Sequence, residues 1–269
     1  MRLDQKYEKL KAHIAGMKSV LVAFSGGVDS ALVLAIAKQT LNQNVLAVTA
    51  QSESLPQREL VEAQRVAEEI GVEHLILTTE EMASTQYREN PTNRCYFCKS
   101  ELYGKMQAIS KERRLAHIVN GINRDDLGDH RPGIQAAKDY NVQSPLADTG
   151  FGKEDIRALA KEIGLTVWQK PAMACLSSRV PYGQPISAEK LSMIERAEDI
   201  LFSMGFSQLR VRHHGDVARI ELLPEEIPQF FTGSIAEEVN TRFKQIGFHF
   251  VALDVEGFRS GKMNEKILS

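Results

Sequence analysis

The hexapeptide SGGVDS, Ser25 to Ser30, joins the apolar run Ser-Val-Leu-Val-Ala-Phe to a second one, Ala-Leu-Val-Leu-Ala-Ile-Ala. Two glycines and three small polar side chains between a strand-like and a helix-like segment suit a phosphate group. Gly26 and Gly27 let the backbone approach an anion and allow dihedrals closed to residues with a Cβ. Ser25 and Ser30 add hydroxyl donors, and the start of the next helix adds its free N–H groups and dipole. Asp29 repels a bare phosphate, so a magnesium ion between carboxylate and phosphate oxygens is expected. The stretch lacks the Gly-Lys-Ser/Thr of a Walker loop and the G-x-G-x-x-G of a dinucleotide fingerprint. An unliganded glycine-rich turn is the plain alternative.

The second reactive set is cysteine. NRCYFCKSELY places Cys95 and Cys98 in a C-x-x-C pair, and Cys175 follows in AMACLSSR. Three thiolates suit a [4Fe–4S] cluster with one open iron, because soft sulfur ligands favour iron–sulfur chemistry. Zinc completed by histidine or water, and buried unliganded thiols, stand beside that reading. Ser178 and Arg179 follow Cys175 closely enough to orient a substrate or meet developing negative charge, though a structural arginine explains the sequence equally well. Arg210 and Arg212 are two apart on an expected strand and share one face, which suits the 5′-phosphate of a mononucleotide or a solvated, ion-paired surface. Asp125, Asp126, Asp129 and Arg131 follow an expected fourth strand on its ligand side, where one of them, Asp126 above all, assists ATP or magnesium. Turn and capping duties explain carboxylates there too. Lys99 and Lys153 are further candidates for phosphate or carboxylate contact. His213 and His214 are adjacent on a strand and so face opposite ways, which argues against a shared metal.

These residues need a scaffold. Apolar runs at 20–24, 45–49, 74–77 and 117–120, with a weaker fifth at 142–146, alternate with helical patterns at 30–41, 56–70, 99–113 and 153–163. That order predicts an α/β fold, a doubly wound parallel sheet covered on both faces. Val180-Pro-Tyr-Gly-Gln-Pro marks a boundary between a domain over 1–180 and a smaller one over 187–269. The smaller domain, ordered helix 187–205, strands 208–213 and 217–222, helix 235–246 and strand 249–254, suits an antiparallel α+β arrangement.

Composition narrows the partners. A chain of 269 residues, 43% hydrophobic and 25% charged, with formal net charge −2, has no electrostatic bias toward nucleic acid. Charges run through the N-terminal 20 residues and no apolar run approaches a membrane span, so a cytoplasmic protein is expected. Three cysteines are an odd count for a disulfide framework.

SGGVDS matches the SGGxDS loop of the ATP pyrophosphatases, the PP-loop superfamily with its adenine nucleotide alpha hydrolase-like fold. Together with NRCYFCK, GINRDDLGDHRPG, CLSSRVPYG, RVRHHGDVARIEL and GFRSGKMN, it resembles the LarE family of ATP-dependent sulfur transferases over nearly the whole chain. The resemblance implies adenylylation of a carboxylate of a pyridinium dicarboxylate mononucleotide, then replacement of AMP by sulfur, on the way to the nickel-pincer cofactor of lactate racemase. It implies ATP and pyrophosphate in the loop of Ser25, Gly26, Gly27, Asp29 and Ser30. Members with one cysteine at the position of Cys175 sacrifice its sulfur and leave dehydroalanine. Members with three are thought to hold a cluster fed by sulfide, which favours Cys95, Cys98 and Cys175 as ligands here. Assembly into a homo-oligomer is implied as well. A cluster-dependent tRNA thiolase and an amide-forming ATP pyrophosphatase are the competing functions.

Overall fold

The alternation of apolar runs and amphipathic segments appears directly in the computed structural model, which describes residues 1–128, 132–259 and 262. The chain runs α1 (Leu3–Met17), β1 (Val20–Ala23), α2 (Val28–Leu41), β2 (Val45–Gln51), α3 (Gln57–Ile70), β3 (Glu73–Thr78), a short α4 (Thr85–Arg88), α5 (Arg94–Arg113) and β4 (His117–Val119). It continues through α6 (Pro132–Asp139), α7 (Pro145–Asp148), α8 (Lys153–Glu162), α9 (Ala188–Ser203), β5 (Arg210–His214), β6 (Val217–Glu221), α10 (Ile227–Phe230), α11 (Ile235–Ile246) and β7 (Phe250–Leu253).

Two compact units result, 1–81 with 93–173, and 82–92 with 174–269. The partition falls before the proline-rich stretch at 180–185 and gives residues 82–92 to the second unit. Hydrogen bonds explain this: the Asn90 side chain donates to the carbonyls of Val180, Pro181 and Gln184, and the buried Tyr87 hydroxyl meets Ser177 Oγ at 2.6 Å.

In the first unit the strands lie in the order β3-β2-β1-β4, all parallel. Successive residues of β1 feed opposite layers: Val20 and Val22 pack with α1, α2, α3 and α8, whereas Leu21 packs with α5 and α6. Both faces are therefore buried, as the continuous apolar runs require. The fifth strand expected at 142–146 is reduced to one bridge, Val119 with Gln143, because Pro145 starts α7 and removes a ladder donor. The N-terminal charges sit on a helix that buries Leu10, Ile14 and Met17. Among the described residues no helix is long and apolar enough to cross a membrane.

The second unit carries a mixed sheet, β5-β6-β7, with β5 antiparallel and β7 parallel to β6. The expected all-antiparallel arrangement fails at β7, since α11 intervenes and returns the chain in the direction of β6. Leu209, Val211, Ala218, Ile220 and Leu222 form the apolar face over α9 and α11.

Candidate active site

Ser25 to Ser30 occupy the connection from β1 to α2. Gly26 has φ +71, and a Cβ there would stand 2.9 Å from Ala63 Cα, so conformation and space both demand glycine. Gly27 is the helix N-cap. The two serines staple the loop: Ser25 Oγ meets Ser30 Oγ at 3.1 Å, and Ser30 Oγ accepts from Ser25 N–H and bonds the Gly27 carbonyl. Ser30 is buried, so its hydroxyl shapes the cradle, and Ser25 is the exposed one. A second close approach fixes the other side of the helix start, where a Cβ on Gly121, just past β4, would lie 2.7 Å from Ser30 N.

Asp29 stands in the first turn of α2. Its Oδ2 accepts from Lys153 Nζ at 2.5 Å, while Oδ1 is buried with no hydrogen-bond partner. Burial pushes the carboxyl above the ordinary aspartate value; Lys153 opposes the rise and the charge of nearby Asp126 adds to it. Asp126 is buried and accepts from the Asn123 N–H at 3.1 Å. An orphaned carboxylate oxygen beside a second carboxylate, at a helix start built for phosphate, fits a divalent cation that prefers oxygen ligands. Asp125, by contrast, is exposed and caps α8 through the Lys153 N–H. Asp129 and Arg131 lie outside the described residues, as does half of the GFRSGKMN motif.

Cys95 and Cys98 fall three apart near the start of α5 and so share a helix face, Cys95 exposed and Cys98 half-buried. Lys99 packs its stem under α6, close enough that a Cβ on Gly133 would lie 3.3 Å from Lys99 Cγ. The pair offers two soft donors on one face, which suits thiolate-loving metals. Cys175 belongs to the second unit and is half-buried. None of the three is in a disulfide, and among the described residues no three His, Cys, Asp or Glu side chains converge as a metal site.

Cys175 stands at the start of a tight helical turn, Leu176–Arg179, that two arginines clamp. Arg179, with no solvent exposure, forms a forked pair with Glu198 of α9 (Nε–Oε1 2.8 Å, Nη2–Oε2 3.0 Å). Its Nη1 reaches the carbonyls of Ala174 and Cys175 and Ser178 Oγ. Every direction of the guanidinium is thus occupied by protein, and the substrate-facing role suggested by its place in the sequence does not fit; Arg179 positions the cysteine instead. Ser178 is half-buried with Oγ donating to the Cys175 carbonyl.

Arg212 donates from Nη1 to the Ser178 carbonyl at 2.9 Å and from Nη2 to Glu221 at 2.7 Å, leaving its buried Nε without a partner. Arg210, on the same face, is buried with Nη1 on the Leu209 carbonyl and its guanidinium 4.9 Å from the Phe258 ring centroid. Arg219 pairs with Glu221 and Asp254. The solvated-surface reading of this sheet face fails: the cysteine turn covers it. Sequence reasoning missed Glu198, Glu221 and the pair Lys170–Glu59 at the glycine loop. Glu198 had a signal, since it falls on the apolar stripe Leu191, Ile194, Leu201 of α9 where a carboxylate needs a partner. His213 and His214 do face opposite ways; the His213 ring packs against Phe248 at 5.4 Å between centroids, tilted by 57°.

Residues 7–93 match the asparagine synthase family. The pyridinium-3,5-bisthiocarboxylic acid mononucleotide synthase of Lactiplantibacillus plantarum is 37% identical over 266 residues, 98% of this chain and 96% of that protein. An uncharacterized protein of Synechocystis sp. is 46% identical over 262 residues, 97% of this chain and 98% of its own length. The tRNA-specific 2-thiouridylase MnmA of Carboxydothermus hydrogenoformans is 26% identical over 204 residues, 59% of this chain and 54% of that enzyme. The glycine cradle on a parallel sheet explains the first match, and the full-length relationship reaches beyond it to the cysteine turn and the arginine strand: the chain belongs to the LarE family, PP-loop enzymes that spend ATP on sulfur transfer.

Proposed function

We propose that the enzyme adenylylates a carboxylate of pyridinium-3,5-dicarboxylate mononucleotide and exchanges the AMP for sulfur, giving a thiocarboxylate for the nickel-pincer cofactor. The observation that carries the reading is the orphaned Asp29 Oδ1 beside a cradle that only glycine can form. In the first step a substrate carboxylate oxygen attacks the α-phosphorus of ATP. The bond to the bridging oxygen breaks, and pyrophosphate leaves with its electron pair into the loop of Ser25, Gly26, Gly27 and Ser30. Magnesium on Asp29, with Asp126 beside it, would neutralise phosphate charge. In the second step a sulfur nucleophile attacks the acyl carbon and AMP departs with the oxygen.

Arg212 Nε, with Arg210 on the same face, supplies donors for the 5′-phosphate of the mononucleotide. Ser178 orients the substrate, while Arg179 and Glu198 hold the Cys175 turn. A [4Fe–4S] cluster on Cys95, Cys98 and Cys175 would offer an open iron for incoming sulfide. In this reading the enzyme works in the cytoplasm as a homo-oligomer, on a small-molecule substrate with sulfide or another sulfur donor.

Anaerobic iron and sulfide analysis, joined to mass spectrometry of Cys175 before and after turnover, tests the sulfur route. Bound iron with an intact Cys175 is expected. Dehydroalanine at 175 without iron moves the assignment to sacrifice of the cysteine's own sulfur. The similarity to a 2-thiouridylase favours tRNA as the second substrate reading; thiolation of bulk tRNA with no AMP transfer to the pyridinium mononucleotide would establish it.

A further inference from the structure

The glycine loop has a cation beside it that none of the sequence motifs includes. Lys170 Nζ lies 2.8 Å from Glu59 Oε2 and 3.5 Å from the Gly26 carbonyl. Both side chains of the pair are mostly buried, at 16% and 12% exposure. Glu59 sits one helical turn before Ala63 on α3, so the two share a face. Ala63 is the residue against which Gly26 closes. That face of α3 thus brings a small side chain to admit the loop and a carboxylate to hold a lysine over it. The lysine's own backbone is fixed from the other side, where Arg157 of α8 donates to the Lys170 carbonyl at 3.0 Å.

The contact to Gly26 is at the long limit of a hydrogen bond. An ammonium with three rotatable donors is therefore tethered at the loop by one strong partner and only loosely held by the loop itself. We propose that Lys170 is a pyrophosphate-binding residue of this loop, turning from the Gly26 carbonyl onto a phosphate oxygen while Glu59 retains it. The inference deepens the proposed function and rests on it for the presence of pyrophosphate. When the bond from the α-phosphorus to the bridging oxygen breaks, its electron pair stays with pyrophosphate. Lys170 meets that growing charge without transferring a proton.

The test is titration calorimetry of the intact protein with inorganic pyrophosphate and magnesium, comparing wild type, Lys170→Met and Glu59→Gln. Lys170→Met is expected to weaken pyrophosphate binding by about ten- to a hundredfold, the ordinary yield of a charged hydrogen bond. Glu59→Gln, which breaks the ion pair but leaves the ammonium, is expected to bind within about threefold of wild type or more tightly. A purely structural pair predicts the opposite pattern, with both variants melting lower by similar amounts and shifting affinity together. Equal affinities in wild type and Lys170→Met overturn the inference alone, and so does a tenfold loss in Glu59→Gln, which stands even where Lys170→Met does not fold. A wild type that binds neither pyrophosphate nor ATP overturns the proposed function itself.

Discussion

Arg179→Met removes a guanidinium that makes five hydrogen bonds inside the second unit, two of them to Glu198. Glu198, with no solvent exposure, then keeps the Val211 N–H at 3.1 Å but loses the guanidinium that balanced its charge. Breaking a buried ion pair from one side costs about 3–5 kcal/mol. A domain of this size class shifts by roughly 4 °C or more per kcal/mol, so the transition of the second unit should fall by about 12 °C or more. Scanning calorimetry of the nucleotide-free protein measures the shift, with hydrogen exchange in β5 and β6 identifying the transition. Arg179→Met combined with Glu198→Met removes both charges and should recover most of the loss, because apolar residues of similar volume replace such pairs with little penalty. A single variant that melts within about 3 °C of wild type, or a double variant below the single one, refutes the claim that this pair holds the cysteine turn.

Three further outcomes follow from the same geometry. Gly26→Ala forces a left-handed φ on alanine and drives its Cβ to 2.9 Å from Ala63 Cα, whereas Gly27→Ala meets only Ser25 Oγ at 3.5 Å; thermal melts and ATP binding should show the first variant losing about 1–3 kcal/mol and its nucleotide, and the second folding as wild type. Asp29→Ala removes the carboxylate proposed to hold magnesium and little packing, so pyrophosphate release should stop while the circular dichroism spectrum stays unchanged. Burial holds the His213 pKa below its ordinary 6.5. Below that value the unfolded chain takes up a proton that the folded one refuses, so stability falls as pH drops from about 6.5 toward the folded pKa. His213→Leu should flatten that slope in urea melts recorded across the range.

The strands of the first sheet were legible because a parallel strand buried on both faces must be apolar throughout, as Val20–Ala23 and the start of β2 are. The weaker run at 142–146, Val-Gln-Ser-Pro-Leu, failed, since Pro145 favours a helical first turn over a ladder position. The N-terminal helix was hidden by its charges, which occupy the solvent face and mask the stripe of Leu10, Ile14 and Met17. Spacing showed that Arg210 and Arg212 share a face but not that the face is covered, because the covering turn lies more than 30 residues earlier in the chain. Arg179 shows the same limit. Its neighbour Cys175 suggested chemistry, and only the fold reveals Glu198 as the partner that occupies it.

The most direct test of adenylylation follows oxygen. A substrate labelled with 18O in its carboxylates, turned over with ATP and sulfide, should yield AMP carrying one labelled phosphate oxygen, since the acyl C–O bond is the one broken when sulfur enters. Unlabelled AMP, or ADP with inorganic phosphate in its place, would contradict the account.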